Sequence, residues 1–135
     1  MIVYRLAHKE VIDKRVNMPC GPYAGSWYVM EWSDSDPKKL EQFMEAREKL
    51  VSKSCTRIHL TPYADRLLNN IQEWEVCGFA DPVSLRRWFK GCLRTLQAVG
   101  FEEQQYEVPE SEVRVGLNGQ VVFAVLNAKR VRGIK

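Results

Sequence analysis

Two segments at opposite ends of the chain place polar residues within runs that are otherwise typical of β-strands. Near the start, Arg5 follows Tyr4 in an apolar run, and the turn Gly21-Pro22-Tyr23 comes soon after it. Near the end, Gln120 follows Asn118-Gly119 and opens another apolar run. A guanidinium group can hold a phosphate or pyrophosphate through two parallel hydrogen bonds. The two segments therefore predict a site for a phosphate-bearing ligand.

The residues around Arg5 suit the rest of such a ligand. Gly21 lets the backbone approach a ligand closely because glycine has no Cβ atom. Tyr23 or Tyr28 offers an aromatic face on which a planar ring can stack. Gln120 can hydrogen-bond the hydroxyl groups of a ribose. In the structural alternative, Arg5 pairs with a surface carboxylate and Gln120 faces solvent on a strand.

A second candidate surface is a basic stripe on a predicted helix. Arg86, Lys90 and Arg94 recur every four residues and so share one helix face. Most stripes of this kind are solvated surface, but some bind an acidic partner or a phosphate. We take these three residues as the candidate partner-binding surface.

Metal and nucleophile motifs are missing from the sequence. The cysteines Cys20, Cys55, Cys77 and Cys92 are widely spaced and form no C-x-x-C pair, which predicts reduced, partly buried thiols and no metal site. His8 and His59 have no partner motif, and we expect them to be structural or surface residues.

Composition sets the outer bounds. A chain of 135 residues with 45% hydrophobic content matches one domain, residues 1–135, that can bury its own core. The net charge of +3 is too small to indicate nucleic acid binding. Because the sequence has neither a signal-peptide pattern nor an apolar run of about 20 residues, it predicts a cytoplasmic protein that does not enter a membrane.

Strand-like segments lie at both ends of the chain, with helices between them. Asp36 followed by Pro37 predicts the start of an amphipathic helix. Asp81 followed by Pro82 predicts another, running to Gly100. A further helix is expected within residues 60–74, whereas residues 26–32 fit either a strand or an aromatic lid.

After Gly100 the hydrophobic pattern alternates with a period of two, which predicts strands at residues 105–108, 113–115 and 120–126. Asn118-Gly119 predicts a two-residue hairpin, since both residues tolerate a positive φ. The expected fold is a compact α+β domain in which terminal strands form a mainly antiparallel sheet packed against about three central helices.

Several short motifs resemble those of a family of small proteins encoded in bacteriophage and prophage genomes. They extend over nearly the whole chain: Tyr4-Arg5, Gly21-Pro22-Tyr23, Cys77-Gly78-Phe79, Trp88-Phe89, Gly100-Phe101, Tyr106-Glu107-Val108 and residues 119–123. The resemblance implies an accessory protein that acts in the cytoplasm of the bacterial host on a host or host-defence protein. The alternative is a non-catalytic inhibitor that occludes a host-defence complex.

The strand motifs are also similar to those of ADP-ribosyltransferases, and this likeness implies NAD as the ligand. Arg5 then matches the first-strand residue that binds NAD, and Tyr23 or Tyr28 matches the aromatic residue that stacks on nicotinamide. Gln120 takes the place of the catalytic glutamate. A glutamine can orient a substrate but cannot stabilise positive charge as a carboxylate does, so mono-ADP-ribosyl transfer would need another carboxylate, such as Glu107 or Glu112.

Overall fold

A computed structural model describes residues 1–23, 25–54, 66–68 and 70–131. Its main element is a six-stranded sheet in the order β6-β7-β4-β1-β5-β8, with every pair of neighbours antiparallel. A separate two-stranded hairpin, β2-β3, lies beside it. The strands are β1 (Ile2–His8), β2 (Ile12–Asp13), β3 (Met18–Pro19), β4 (Glu75–Phe79), β5 (Phe101–Glu107), β6 (Val113–Val115), β7 (Gln120–Ala124) and β8 (Lys129–Val131). The predicted α+β class with a mainly antiparallel sheet is confirmed.

The α-helices are α1 (Gly25–Trp32), α2 (Pro37–Ser54), α3 (Pro82–Trp88) and α4 (Leu93–Ala98). Both predicted caps are present: the carboxylate of Asp36 accepts from the Lys39 N–H at 3.1 Å, and that of Asp81 accepts from the Ser84 N–H at 2.7 Å. Each cap satisfies an N–H that the first helical turn leaves without a partner.

The helices cover one face of the sheet. Their buried side chains pack with Leu6, Phe79 and Phe101 of the strands, and the aromatic residues among them form a contiguous cluster. The other face carries a second apolar cluster, in which Val3, Val76 and Val121 meet Met18 of the β2-β3 hairpin. Because side chains alternate between the two faces of the sheet, the strands contribute to two separate cores.

Three of the predicted elements differ in the structure. Residues 26–32 belong to helix α1 and not to a strand or lid, because Tyr28 and Trp32, four positions apart, both enter the core. The helix expected from Asp81 to Gly100 is interrupted at Gly91, whose φ of +96° cannot continue a helix. Of the helix expected within residues 60–74, residues 60–65 and 69 lie outside the described residues, and the described remainder has only a 3₁₀ turn, Arg66–Leu68, with no α-helix.

The sequence reading missed a central strand and misjudged one turn. β4 lies between β1 and β7, although its residues Glu75–Phe79 had not been assigned to a strand. The predicted hairpin joins β6 to β7, but through a 3₁₀ turn over Leu117–Gly119. Within that turn only Gly119 has a positive φ, of +77°.

The sheet opens between β1 and β4. β1 pairs with β5 at every position from Ile2 to His8, yet it pairs with β4 only at Tyr4 opposite Phe79. β4 in turn pairs with β7 along its whole length. Beyond the Tyr4-Phe79 pair, β1 and β4 therefore separate and leave a gap in the sheet.

Candidate functional site

A pocket of about 310 Å³ lies at this gap between β1 and β4. Because a gap in a sheet exposes residues from both faces, consecutive residues of each strand line it, Arg5 and Leu6 on β1 and Glu75 to Phe79 on β4. The pocket brings together Arg5, Gly21, Tyr23 and Gln120, which the sequence reading had placed in one site. The remaining lining residues are Leu6, Asp13, Arg15, Pro22, Glu75, Val76, Cys77, Gly78, Phe79, Trp88 and Phe89.

Arg5 is a charged residue that is almost fully buried and lines the pocket. Only 7% of the residue is exposed, and its Nη1 donates to the carbonyl oxygen of Pro19 at the end of β3. Among the described residues, no carboxylate oxygen lies within 4.0 Å of its guanidinium nitrogens. The described residues therefore give no support to the alternative in which Arg5 pairs with a surface carboxylate, and the guanidinium is a buried cation beside an open pocket.

A second buried donor lies next to Arg5. Gln104 is the residue of β5 that faces Arg5 in the sheet register, and it is 2% exposed. Its Oε1 accepts from the Tyr106 hydroxyl at 2.6 Å, whereas its Nε2 has no hydrogen-bond partner among the described residues. Gln104 thus adds an unsatisfied buried donor to the strand pair that carries Arg5.

The turn that follows β3 packs directly on the arginine. A methyl group at Gly21 would lie 3.3 Å from Nη2 of Arg5, so the absence of a side chain there allows this close approach. Tyr23, two residues later, accepts a hydrogen bond from Nε1 of Trp88 at 2.8 Å through its hydroxyl. Its carbonyl accepts from Nη2 of Arg47 at 3.3 Å. Contacts from two sides therefore hold the turn at the pocket.

Gln120 begins β7 and is 2% exposed. In the sheet register it lies opposite Phe79, another residue of the pocket. The alternative in which Gln120 faces solvent is therefore wrong. Its position beside the pocket is compatible with the predicted role of orienting a ligand, which stays a prediction.

The pocket contains two carboxylates, Asp13 and Glu75, and each is paired. Asp13 lies 3.5 Å from Nη2 of Arg15, and Glu75 receives two hydrogen bonds from Arg114, at 2.8 and 3.1 Å. Burial alone would raise the pKa of the Glu75 carboxyl, but the hydrogen bonds from Arg114 and from the Gln72 N–H outweigh it and lower that pKa. Both carboxylates are thus paired with arginines other than Arg5.

Neither carboxylate had been singled out in the sequence. Glu107 and Glu112, which had been considered instead, do not line the pocket: Glu107 lies opposite Ile2 and Lys129, and Glu112 accepts from Asn127. Cys77 lines the pocket, but burial raises the pKa of its thiol to about 11, so it is not a thiolate at neutral pH.

Tyr28 does not line the pocket. It is fully buried among Trp32, Phe43 and Phe101, and its hydroxyl contacts the carbonyl oxygens of Cys20 and Gly21 at 2.8 and 3.0 Å. Burial raises the pKa of this phenol well above its usual value. We therefore correct the assignment of Tyr28 as a ligand-stacking residue: it supports the turn from below, and Tyr23 is the tyrosine at the pocket.

The predicted basic stripe is divided. Arg86 lies on α3, Arg94 lies on α4, and Lys90 lies in the break between them, so the three residues do not follow one helix face. Arg86 is also engaged by Glu103 of β5 through two hydrogen bonds, at 2.7 and 3.0 Å. Its binding to a partner protein stays a prediction, but this surface is not the continuous cation row that the spacing had indicated.

His8 has a structural role, as expected. It is 1% exposed, its Nδ1 accepts from the backbone N–H groups of Glu10 and Val11, and its Nε2 lies 2.8 Å from the Val99 carbonyl oxygen. These partners require a neutral ring with the proton on Nε2. His59 and Cys55 lie outside the described residues.

Two further findings concern the part of the chain that the structure describes. It contains no group of three or more histidine, cysteine, aspartate or glutamate side chains placed to hold a metal ion. None of its helices combines the length and apolar character needed to cross a bilayer.

Comparison with known proteins identifies a family. A family model described as "Bacteriophage T4 Y00F protein" matches residues 1–135. The chain belongs to this bacteriophage protein family. No curated protein and no solved structure matches it significantly. The predicted phage family is thereby confirmed at this level, whereas the likeness to ADP-ribosyltransferases receives no support from these comparisons.

Sequence reasoning missed most of the walls of the pocket. Phe79 and Cys77 belong to the strand that had not been assigned, and Trp88 and Phe89 had been read only as helix core. One usable signal was present: Val76 to Phe79 is a short run of mostly apolar residues bounded by Glu75 and Asp81, which is typical of a buried strand.

Proposed function

We propose that this phage protein binds a small ligand carrying a phosphate and a planar ring, such as a mononucleotide, in the pocket between β1 and β4. The observation that carries the proposal is the buried guanidinium of Arg5, which lines the pocket and has a carbonyl partner but no carboxylate partner among the described residues. A buried charge without a counterion is costly. A bound phosphate would supply the counterion and accept charge-assisted hydrogen bonds.

The rest of the pocket supports a planar group on the ligand. Tyr23, Phe79, Trp88 and Phe89 contribute aromatic surface to its wall. Its volume of about 310 Å³ lies near the lower end of the range for small-molecule sites, roughly 300 to 1,000 Å³. That size suits a mononucleotide better than a dinucleotide, part of which would extend outside.

Binding of NAD with ADP-ribosyl transfer is a second candidate. It is favoured by one observation: Arg5, Gly21, Tyr23 and Gln120 line the same pocket, although far apart in sequence. In this version Glu75 is the carboxylate available to the reaction, since Gln120 is neutral. The acceptor would be a host or host-defence protein, and a labelled-NAD assay in bacterial lysate tests it. Absence of label on any protein would remove this candidate but not the first.

Calorimetric titration tests the main proposal. We expect heat on addition of AMP and of ribose 5-phosphate, and none with the uncharged nucleoside adenosine at the same concentration. Arg5→Lys keeps the charge but loses the two-pronged geometry, so its affinity for AMP should fall by about ten-fold or more. Arg86→Lys is the matched control, because that arginine lies away from the pocket and pairs with Glu103. Equal affinities of the protein and its Arg5→Lys variant would contradict the proposal.

A further inference from the structure

A second arginine, Arg15, lines the pocket together with Arg5. It lies in the turn between β2 and β3, and half of its side-chain surface is exposed, whereas Arg5 is almost fully buried. Two guanidinium groups at one pocket bear on the charge of the phosphate that it takes, because each group binds anionic oxygens.

The β2-β3 hairpin connects the two arginines. Its strands pair over Ile12–Asp13 and Met18–Pro19. Arg5 donates from Nη1 to the Pro19 carbonyl, and Arg15 belongs to the turn that closes the same hairpin. One short element therefore both fixes the guanidinium of Arg5 and brings Arg15 to the pocket.

Both arginine charges act on one point of the pocket wall, the thiol of Cys77. Burial raises the pKa of this thiol to about 11, and the positive charges of Arg5 and Arg15 each act in the opposite direction. Because the effect of a charge decreases with distance, both guanidinium groups lie near this part of the wall. An anion bound beside Cys77 would therefore experience both cations.

The guanidinium of Arg15 is only loosely engaged by Asp13. Its Nη2 lies 3.5 Å from Oδ2 of Asp13, which is longer than the about 2.7 to 2.9 Å of a charge-assisted hydrogen bond. Oδ1 of Asp13 accepts instead from the backbone N–H of Arg15, at 3.0 Å. An ion pair with a partner this exposed contributes little to stability. The side chain of Arg15 can therefore turn to a ligand at small cost, while Asp13 keeps its backbone hydrogen bond.

We propose that Arg15 is a second phosphate-binding residue and that the pocket selects phosphate monoesters over phosphodiesters. This inference rests on the proposed function, in which Arg5 binds the phosphate. A phosphate monoester carries a charge of about −1.5 to −2 at neutral pH and has three oxygens that accept hydrogen bonds. A phosphodiester has a single charge and two such oxygens, which one guanidinium group can hold by itself. Two guanidinium groups therefore match the monoester.

The first test compares two ligands on the unmodified protein by calorimetry. They are AMP and its methyl ester, which keeps the base and the ribose but turns the phosphate into a diester. We expect AMP to bind about ten-fold more tightly, because the ester offers Arg15 neither the additional charge nor the third oxygen. Equal affinities would overturn the inference and leave phosphate binding by Arg5 in place. If neither ligand binds, the proposed function itself is contradicted.

The second test repeats the comparison in two variants that lose the same charge. Arg15→Gln removes the second guanidinium, whereas Lys14→Gln changes the adjacent exposed residue, which does not line the pocket. The preference for AMP should fall below about three-fold in Arg15→Gln, because Arg5 alone needs only the two oxygens that both ligands offer. It should stay at about ten-fold in Lys14→Gln. An unchanged preference in Arg15→Gln overturns the inference. An equal loss in both variants does so too, because it would indicate a general effect of positive charge.

Discussion

The replacement Arg5→Met separates a binding role of Arg5 from a role in holding the loop. The variant loses one hydrogen bond from a charged group to the Pro19 carbonyl, which contributes about 1.5 to 3 kcal/mol. It also removes a buried charge that has no carboxylate partner among the described residues, and the desolvation of such a charge costs several kcal/mol. The two effects oppose each other, and methionine fills much of the same volume. We expect the free energy of unfolding to change by only about 1 kcal/mol.

Urea denaturation followed by tryptophan fluorescence and far-UV circular dichroism gives this free energy, and calorimetry with AMP gives the affinity. We expect near-normal stability together with loss of AMP binding. Arg114→Met is the informative control: it removes the partner of the Glu75 carboxylate, whose side chain is 9% exposed, and should therefore destabilise the protein more than Arg5→Met does.

The opposite pattern would refute the reasoning. If Arg5→Met lowers the free energy of unfolding by about 3 to 5 kcal/mol, as expected when a satisfied buried pair is broken, then Arg5 is part of a complete internal network. Its position in the pocket would then indicate no ligand, and the proposed function would lose its main support.

Three further predictions concern other parts of the molecule. Burial lowers the pKa of His8 below its usual 6.5, so the unfolded chain binds more protons than the folded protein just below that value. Thermal stability should therefore fall as the pH decreases below about 6.5, both in the unmodified protein and in a His59→Gln control. The fall should be smaller in His8→Gln. Equal dependence of stability on pH in all three proteins would contradict this. Gly21→Ala should weaken AMP binding, because the new methyl group would lie 3.3 Å from Nη2 of Arg5. An unchanged dissociation constant would show that the turn moves to accommodate the methyl group without affecting the ligand. If the basic residues bind a partner, a triple charge reversal should abolish capture of a host protein in a pull-down without changing AMP affinity, and unchanged capture would exclude the surface formed by Arg86, Lys90 and Arg94.

The fold class followed from local signals, and the failures have identifiable causes. Asp36 and Asp81 identified two helix starts correctly because a cap depends on residues next to one another. The break at Gly91 was missed because Leu85, Trp88, Leu96 and Val99 keep helical spacing across it. β4 was missed because a short buried strand has no alternation that marks it.

The site was predicted in part. Arg5, Gly21, Tyr23 and Gln120 do line one pocket: Arg5 lies within β1, Gln120 begins β7, and Gly21 and Tyr23 lie in the turn that follows β3. The gap itself depends on where β1 and β4 stop pairing, which involves residues about 70 positions apart and leaves no local trace. The assignment of Tyr28 to the site was wrong for a related reason. An aromatic residue in a lid and one in a core helix have the same sequence signature.

Because β1 and β4 are joined only at the Tyr4-Phe79 pair, the sheet consists of two weakly connected parts. On either side of it stand two three-stranded ribbons, β6-β7-β4 and β1-β5-β8, with full pairing inside each. A ligand bound in the pocket would contact residues of both β1 and β4, which line it, and would therefore link the two ribbons. Occupancy should then suppress relative motion of the ribbons and make them unfold as one cooperative unit.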